Sequence, residues 1–422
     1  MNKQEDIRGF KLANTYFLLH GIVILISWNA VLTGLDFFRD CYPDGSVDFT
    51  FPVANLLPLP FCSLLLVYIE KKLSLHFRVF GCTVLMGIST LVLPIISIIL
   101  PNSLFGLWLN YISLVFLGIV NSIAQAGVVG LAGYFPPECM ARFATGNGIA
   151  GLILNGLRAL CLLYFPDTKL GNFIGVIIYY GAVGIMMAIC LIWYYRFINS
   201  DYASKRIIAQ KNQSVDDYQN ITNDPSIETG DQISLNSKTI EKEGSIQGDM
   251  WKDLKYMFHV SKEIAIYPIL MFVMYLQTFT LFPGVMLMRN TPTISESWKT
   301  IIMMTIFNAF DTLGRILSNY RARYNKTIVS IIVILRFVFF FTFIVQVVKP
   351  QMFLVNTLGF CFLNISIFGL TNGFVNGATF ILAPEVVEGY KKEVAGFIMV
   401  LSLNFSMMLG SVLALPFENL SH

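Results

Sequence analysis

Asp311 and Arg315 stand four residues apart in IIMMTIFNAFDTLGRILSNY (301–320), an otherwise apolar run long enough to cross a bilayer. A charge at mid-bilayer costs about 2.5–3.5 kcal/mol on insertion scales, so such groups face a bundle interior or a water-filled path. Spacing of i,i+4 puts both on one helical face, where they can pair. Asn308, three residues earlier, shares that face. A carboxylate can accept two neighbouring hydroxyls, and a guanidinium can clamp a planar pair of acceptors. That chemistry suits a polyhydroxylated or heteroaromatic solute better than an ion. The plain alternative is a structural ion pair that holds two helices together.

Other polar residues lie in equally apolar surroundings. Asn121 and Gln125, four apart, share a face of the run 105–134, where Gly118, Gly127, Gly130 and Gly133 predict close helix packing. The two amides either glue helices together or line a solute path. Arg158 and Arg336 lie deep in their own runs and need acceptors, which backbone carbonyls or carboxylates at an internal gate could provide. Gly369, Gly373 and Gly377, each four apart beside Asn372 and Asn376, read as a packing stripe. Trp28 and Asn29 sit midway along the first run, too deep for an interfacial belt; an aromatic wall for a planar ligand is one reading.

The elements that must hold these residues follow from composition. The 422 residues are 55% hydrophobic and 13% charged, against about 25% charged in soluble domains. Mean hydropathy is +0.65. This is an all-α polytopic membrane protein, whose first partner is the lipid bilayer. A net charge of +3 gives no argument for nucleic acid. Seven cysteines, mostly in apolar runs, predict no disulfide framework, and no spacing suggests a metal or other cofactor. No cleavable signal peptide is expected, because the first apolar run continues well past signal length.

Counting apolar runs predicts eleven spans: 14–35, 50–69, 79–100, 105–134, 141–165, 172–196, 263–288, 299–320, 327–348, 352–384 and 393–416. The tenth is longer than needed and is expected to break or tilt near Pro384. A polar stretch, 197–262, separates a six-helix half (1–196) from a five-helix half (263–422); its middle has the composition of a disordered cytoplasmic linker. Residues 250–262 predict an amphipathic interfacial helix. With the N-terminus cytoplasmic, short inner loops carry twelve Lys and Arg against five outside, which fixes the expected orientation and puts the C-terminus outside.

The stretch FNAFDTLGRILS (307–318) resembles the eighth-helix signature of the equilibrative nucleoside transporter family. SWN (27–29) is similar to that family's first-helix PWN motif, with Ser27 in place of Pro. Gln125 through GLAGYFP (130–136) resembles the fourth helix, TGNGIAG (145–151) the fifth, LFPGV (281–285) the seventh and LRFVF (335–339) the ninth. TNGF (371–374) and EVAGFIMVLSL (393–403) resemble the tenth and eleventh. Each piece alone is weak; together they run in order along nearly the whole chain, linker excepted.

The resemblance implies a 6+5 bundle related to the major-facilitator fold, working by alternating access on nucleosides or nucleobases. It implies that Asp311 and Arg315 contact ribose hydroxyls or base, that Gln125 contacts the base edge, and that Trp28 lines the cavity. Asn308 would support Asp311, and Leu56 and Leu59, flanking Pro58, would form part of an apolar wall. Asn121 falls where relatives often have Gly, which implies an altered base selectivity at that point. Arg336, Arg158 and Asn29 would serve gating or architecture. Facilitated diffusion is the expected mechanism and the plasma membrane the expected site. A proton-coupled symporter using Asp311 is one alternative, a non-transporting receptor another. An enzyme is not expected, since neither a paired-carboxylate signature nor a His cluster is present. Oligomeric state is not legible.

Overall fold

The computed structural model describes residues 3–69, 73–165, 168–209, 250–289, 295–320, 323–348, 357–388 and 391–421, and among these there is no β-strand. Eleven helices or helix pairs are long and apolar enough to span a membrane, from Asp6–Thr33 to Val394–Glu418. In the first half, α1 (Lys3–Thr33) leads through a short α2 (Leu35–Cys41) to the second span, α3 (Val47–Leu56) plus α4 (Leu59–Ile69). Then come α5 (Cys82–Ile99), α6 (Leu104–Gly133), α7 (Pro137–Tyr164) and α8 (Lys169–Ile198). Residues 201–209 form α9. The second half holds α10 (Met250–Glu263), α11 (Ile266–Leu281) with α12 (Gly284–Leu287), α13 (Glu296–Leu317), α14 (Lys326–Leu335) with α15 (Val338–Val348), α16 (Leu358–Glu385) and α17 (Lys391–Ala414).

Local chemistry sets the ends. Ser103, Thr168, Asn325 and Thr357 each cap a spanning helix, accepting from the backbone N–H three residues on. Pro137 opens α7, where its missing N–H costs nothing. The tenth span ends one residue after Pro384 rather than kinking there. Its start, predicted at 352, falls among residues outside those described; the described helix starts at Leu358. The first helix begins eleven residues before the predicted span, and Ala13, just ahead of that span, is wholly buried in the core.

Three spans are interrupted. The second turns at Leu57–Pro58, the seventh at Phe282–Pro283, and the ninth at Arg336–Phe337. Interrupted helices free backbone groups that must find partners inside the protein.

Glycines bring the helices together where a side chain would not fit. A Cβ at Gly369, Gly373 or Gly314 would overlap the facing backbone of α13 or α16, and one at Gly146 would strike the Leu18 carbonyl of α1. On α6, Gly118 and Gly127 are packed in this way, whereas Gly130 and Gly133 have nothing within 4 Å. The close-packing expectation therefore applies to two of those four.

The halves meet along α7 against α13, and along α3 and α4 against α17. Asn404 of α17 donates to Ser63 of α4 at 2.7 Å. At the end remote from the N-terminus, Ser46 bonds Glu418 and Phe49 packs on Gly284. The polar stretch starting at 197 opens with packed structure. Phe197, Tyr202 and Ala203 are buried, and Tyr202 covers Gly9 of α1. Residues 210–249, the predicted disordered middle, lie outside the described residues. The amphipathic segment forms α10, tied to α17 by Lys391 and Glu263 at 2.6 Å.

Candidate solute site between the helices

Asp311 and Arg315 are paired as their spacing predicts, Arg315 Nε donating to Asp311 Oδ2 at 2.8 Å. The carboxylate is 6% exposed. Its other oxygen accepts from Asn372 Nδ2 of α16 at 2.6 Å. Gly373, next to Asn372, lies directly on the Asp311 carbonyl, so the two helices touch at the carboxylate. The Tyr275 hydroxyl of α11 faces Arg315.

The polar contacts continue away from Asp311. Asn372 Oδ1 accepts from Thr278 Oγ1 at 2.7 Å, and Thr278 accepts from Arg336 Nη2 at 2.7 Å. Arg336 is 1% exposed and occupies the break in the ninth span. It also donates to the Phe368 carbonyl at 2.8 Å, to Gln277 Oε1 at 3.3 Å and to Thr371. Its guanidinium lies 4.6 Å from the centre of the Phe368 ring. A buried cation thus exchanges water for four acceptors and an aromatic face. Phe368 joins Phe339 and Phe343 to an aromatic row that passes through Phe307 to Phe282, the last two stacked at 4.3 Å.

Arg158 has a separate environment. It pairs with Asp36 of α2 and donates to Asn172 of α8 at 2.8 Å, with both charged side chains nearly inaccessible. This second buried pair ties α2, α7 and α8 within the first half, apart from Asp311.

Asn308 does not hold Asp311; Asn372 has that place. The Asn308 side chain instead lies over Gly151 of α7, which Asn29 of α1 also approaches, so α1, α7 and α13 come together there. Asn29 is anchored by its own bond to the Leu25 carbonyl at 2.9 Å. Trp28 is buried in the main core cluster. Asn121 is buried with its carbonyl oxygen unpartnered, and Gln125, one turn on, is half-buried. Leu56 and Leu59 are buried on either side of the Leu57–Pro58 turn, which meets Gly118 of α6 through Asn55 and Pro58.

Sequence reasoning missed Thr278, Gln277, Thr371 and Tyr275, and read Asn372 as packing. A signal existed: Gln277 and Thr278 are adjacent polar residues in an apolar run. Asp36 was overlooked because it follows the end of the first span, where an acid is unremarkable. A separate cavity of about 710 Å³ lies near the start of α1, lined by Lys11, Asn14, Arg142, Tyr202 and Arg206 among others. Burial pushes the Tyr202 phenol up from its ordinary pKa. Among the described residues, no three His, Cys, Asp or Glu side chains are grouped to hold a metal ion.

Eleven membrane-length helices among the described residues, with buried charges facing the bundle interior, define a polytopic membrane protein whose fold is like that of solved transporters such as the xylose transporter XylE (TM-score 0.56, 12% identity, 96% of each chain). Residues 111–419 match the model of the nucleoside transporter family, and the chain belongs to that family. Equilibrative nucleotide transporter 1 of Arabidopsis thaliana is 25% identical over 405 residues, covering 94% of this chain and 84% of the relative. Equilibrative nucleoside transporter 2 of Homo sapiens is 23% identical over 456 residues, covering 98% of each. Among solved structures, the nucleoside transporter NupG aligns with TM-score 0.56 over 95% of this chain and 89% of its own, at 14% identity, a likeness of fold.

Proposed function

We infer that this protein carries nucleosides across a membrane by facilitated diffusion, the solute binding between the halves and the halves rocking about it. The observation that carries the reading is the Asp311–Arg315 pair, buried in the eighth span of a member of the nucleoside transporter family. Asp311 uses one lone pair of each oxygen on Asn372 and Arg315, which leaves one on each for neighbouring ribose hydroxyls. Each such charge-assisted bond contributes about 1.5–3 kcal/mol. Arg315 spends its Nε on the carboxylate, so its terminal nitrogens can reach acceptors on a base. The aromatic row from Phe282 to Phe368 supplies flat apolar surface alongside. Gln125 and the unpartnered Asn121 carbonyl would read the base edge from the facing half. Contacts at Ser46–Glu418 and Phe49–Gly284 would part as the site opens to that side.

The positive-inside count supports a cytoplasmic N-terminus, which would put Ser46 and Glu418 at the outer face; the plasma membrane is the site of action proposed. Uptake of labelled adenosine and uridine by a transporter-null cell tests the reading. Saturable, sodium-independent flux blocked by excess unlabelled nucleoside is expected. Asp311→Asn should abolish it while the protein still reaches the surface. Binding without flux would favour a receptor, and flux that collapses with protonophore would favour proton coupling through Asp311.

A further inference from the structure

The hydrogen bonds between Arg336 and Asp311 run in one direction. A guanidinium only donates, so Arg336 Nη2 at 2.7 Å makes the Thr278 oxygen an acceptor on that side. The hydroxyl proton of Thr278 is left to donate, and Asn372 Oδ1 lies 2.7 Å away. With its carbonyl end taken, Asn372 must turn its amide nitrogen outward, and that nitrogen is 2.6 Å from Asp311 Oδ1. At the far end, an ionised carboxylate only accepts. The two termini of the chain therefore agree on a single amide orientation. Reversed, Asn372 would set its carbonyl oxygen against the carboxylate, two acceptors at hydrogen-bond distance with no proton between them.

Thr278 has a second acceptor in reach, the Met274 carbonyl at 2.9 Å. A threonine in a helix ordinarily takes that bond. Asn372 Oδ1 is nearer, and Arg336 polarises the hydroxyl that serves it. All three relay residues are buried: Thr278 is 1% exposed, Asn372 3% and Arg336 1%. Water is thus kept from substituting for any link.

We propose that Arg336, acting through Thr278 and Asn372, is a positioning residue that fixes which lone pairs of Asp311 face the solute. The proposal rests on Asp311 being the nucleoside ligand. It gives the buried arginine of the ninth span a role in affinity although four helices meet at it and it touches no solute. It also ties the break in that span at Arg336–Phe337 to the site, so a movement of the break alters the donor that Asp311 sees.

Binding of labelled uridine to the purified full-length protein tests this, with melting temperature recorded for every variant. Thr278→Val preserves shape and removes the hydroxyl; affinity should fall about tenfold, the order expected when one buried hydrogen-bond link is lost. Thr278→Ser should restore it. Asn372→Ala should lose a similar factor, and the double variant should lose no more than Asn372→Ala alone, because both act through one link. Wild-type affinity in Thr278→Val, or losses that multiply in the double variant, would overturn the relay. A merely structural threonine would lower the melting temperature and leave affinity intact. Should Thr278→Val not fold, Thr278→Cys carries the test through its weaker donor, and wild-type affinity there is equally fatal. Asp311→Asn separates the two levels. If that variant binds normally, both the site reading and the relay fall. If it loses binding while Thr278→Val does not, the relay alone falls.

Discussion

Removing Asp36 should damage this protein more than removing its partner Arg158, although the same ion pair is broken. Both side chains are buried, with 9% of Asp36 and 1% of Arg158 accessible. Breaking a buried pair by deleting one member costs about 3–5 kcal/mol, because the survivor is left charged and out of water. The survivors differ in what they can do next. In Asp36→Asn, Arg158 keeps Asn172 at 2.8 Å but no carboxylate, and a guanidinium cannot shed its proton. In Arg158→Met, the surviving carboxylate keeps the Phe37 backbone N–H, 2.9 Å from its Oδ1, and more of it reaches solvent. Thermal inactivation of detergent-solubilised protein, followed by monodisperse size-exclusion signal, reads the effect. Both single variants should inactivate at lower temperature than the unmodified protein, Asp36→Asn by the larger margin. The pair Asp36→Leu with Arg158→Met should be more stable than either single change, since a buried ion pair replaced by apolar groups is often neutral. Single variants as stable as the unmodified protein, or Arg158→Met the less stable of the two, would refute the reasoning.

Gly373→Val places a side chain on the Asp311 carbonyl and should abolish the folded, monodisperse protein. Gly130→Ala, where nothing lies within 4 Å, should leave yield and melting temperature at or above the original, as helix propensity favours Ala by about 1 kcal/mol inside a helix. Asn404→Ala removes the 2.7 Å bond between α17 and Ser63 that joins the halves; nucleoside exchange should change in rate with little change in affinity. An unchanged rate would mean that this contact does not restrain their relative motion.

The fold was legible because the bilayer imposes a length and a polarity on every span, and eleven runs met both demands. Asp311, Arg315 and their pairing were legible for the same reason: i,i+4 charges in an apolar helix have few other places to go. Asn372 was visible as an intramembrane amide. Its spacing against Gly369, Gly373 and Gly377 favoured packing, and in fact Gly373 packs so closely that Asn372 is brought onto the carboxylate. Packing and polarity were one feature, which a single helix cannot reveal. The family resemblance implied that Asn308 supports Asp311, and three residues along a helix do share a face. Asp311 instead looks to α16 and Asn308 to Gly151 of α7, a division set by neighbours that no local pattern encodes. The partner of Arg158 lay 122 residues away, beyond the reach of any periodicity.

The most direct test of the central claim is nucleoside movement in liposomes that contain only the purified protein. With labelled uridine outside and no pH, sodium or voltage gradient, the internal concentration should rise to the external one and stop. Unlabelled uridine preloaded inside should speed the entry of label, and Asp311→Asn should reduce entry to that of empty liposomes. Label held at zero in correctly reconstituted protein, or accumulated above the external concentration only when a proton gradient is imposed, would contradict facilitated diffusion through this site.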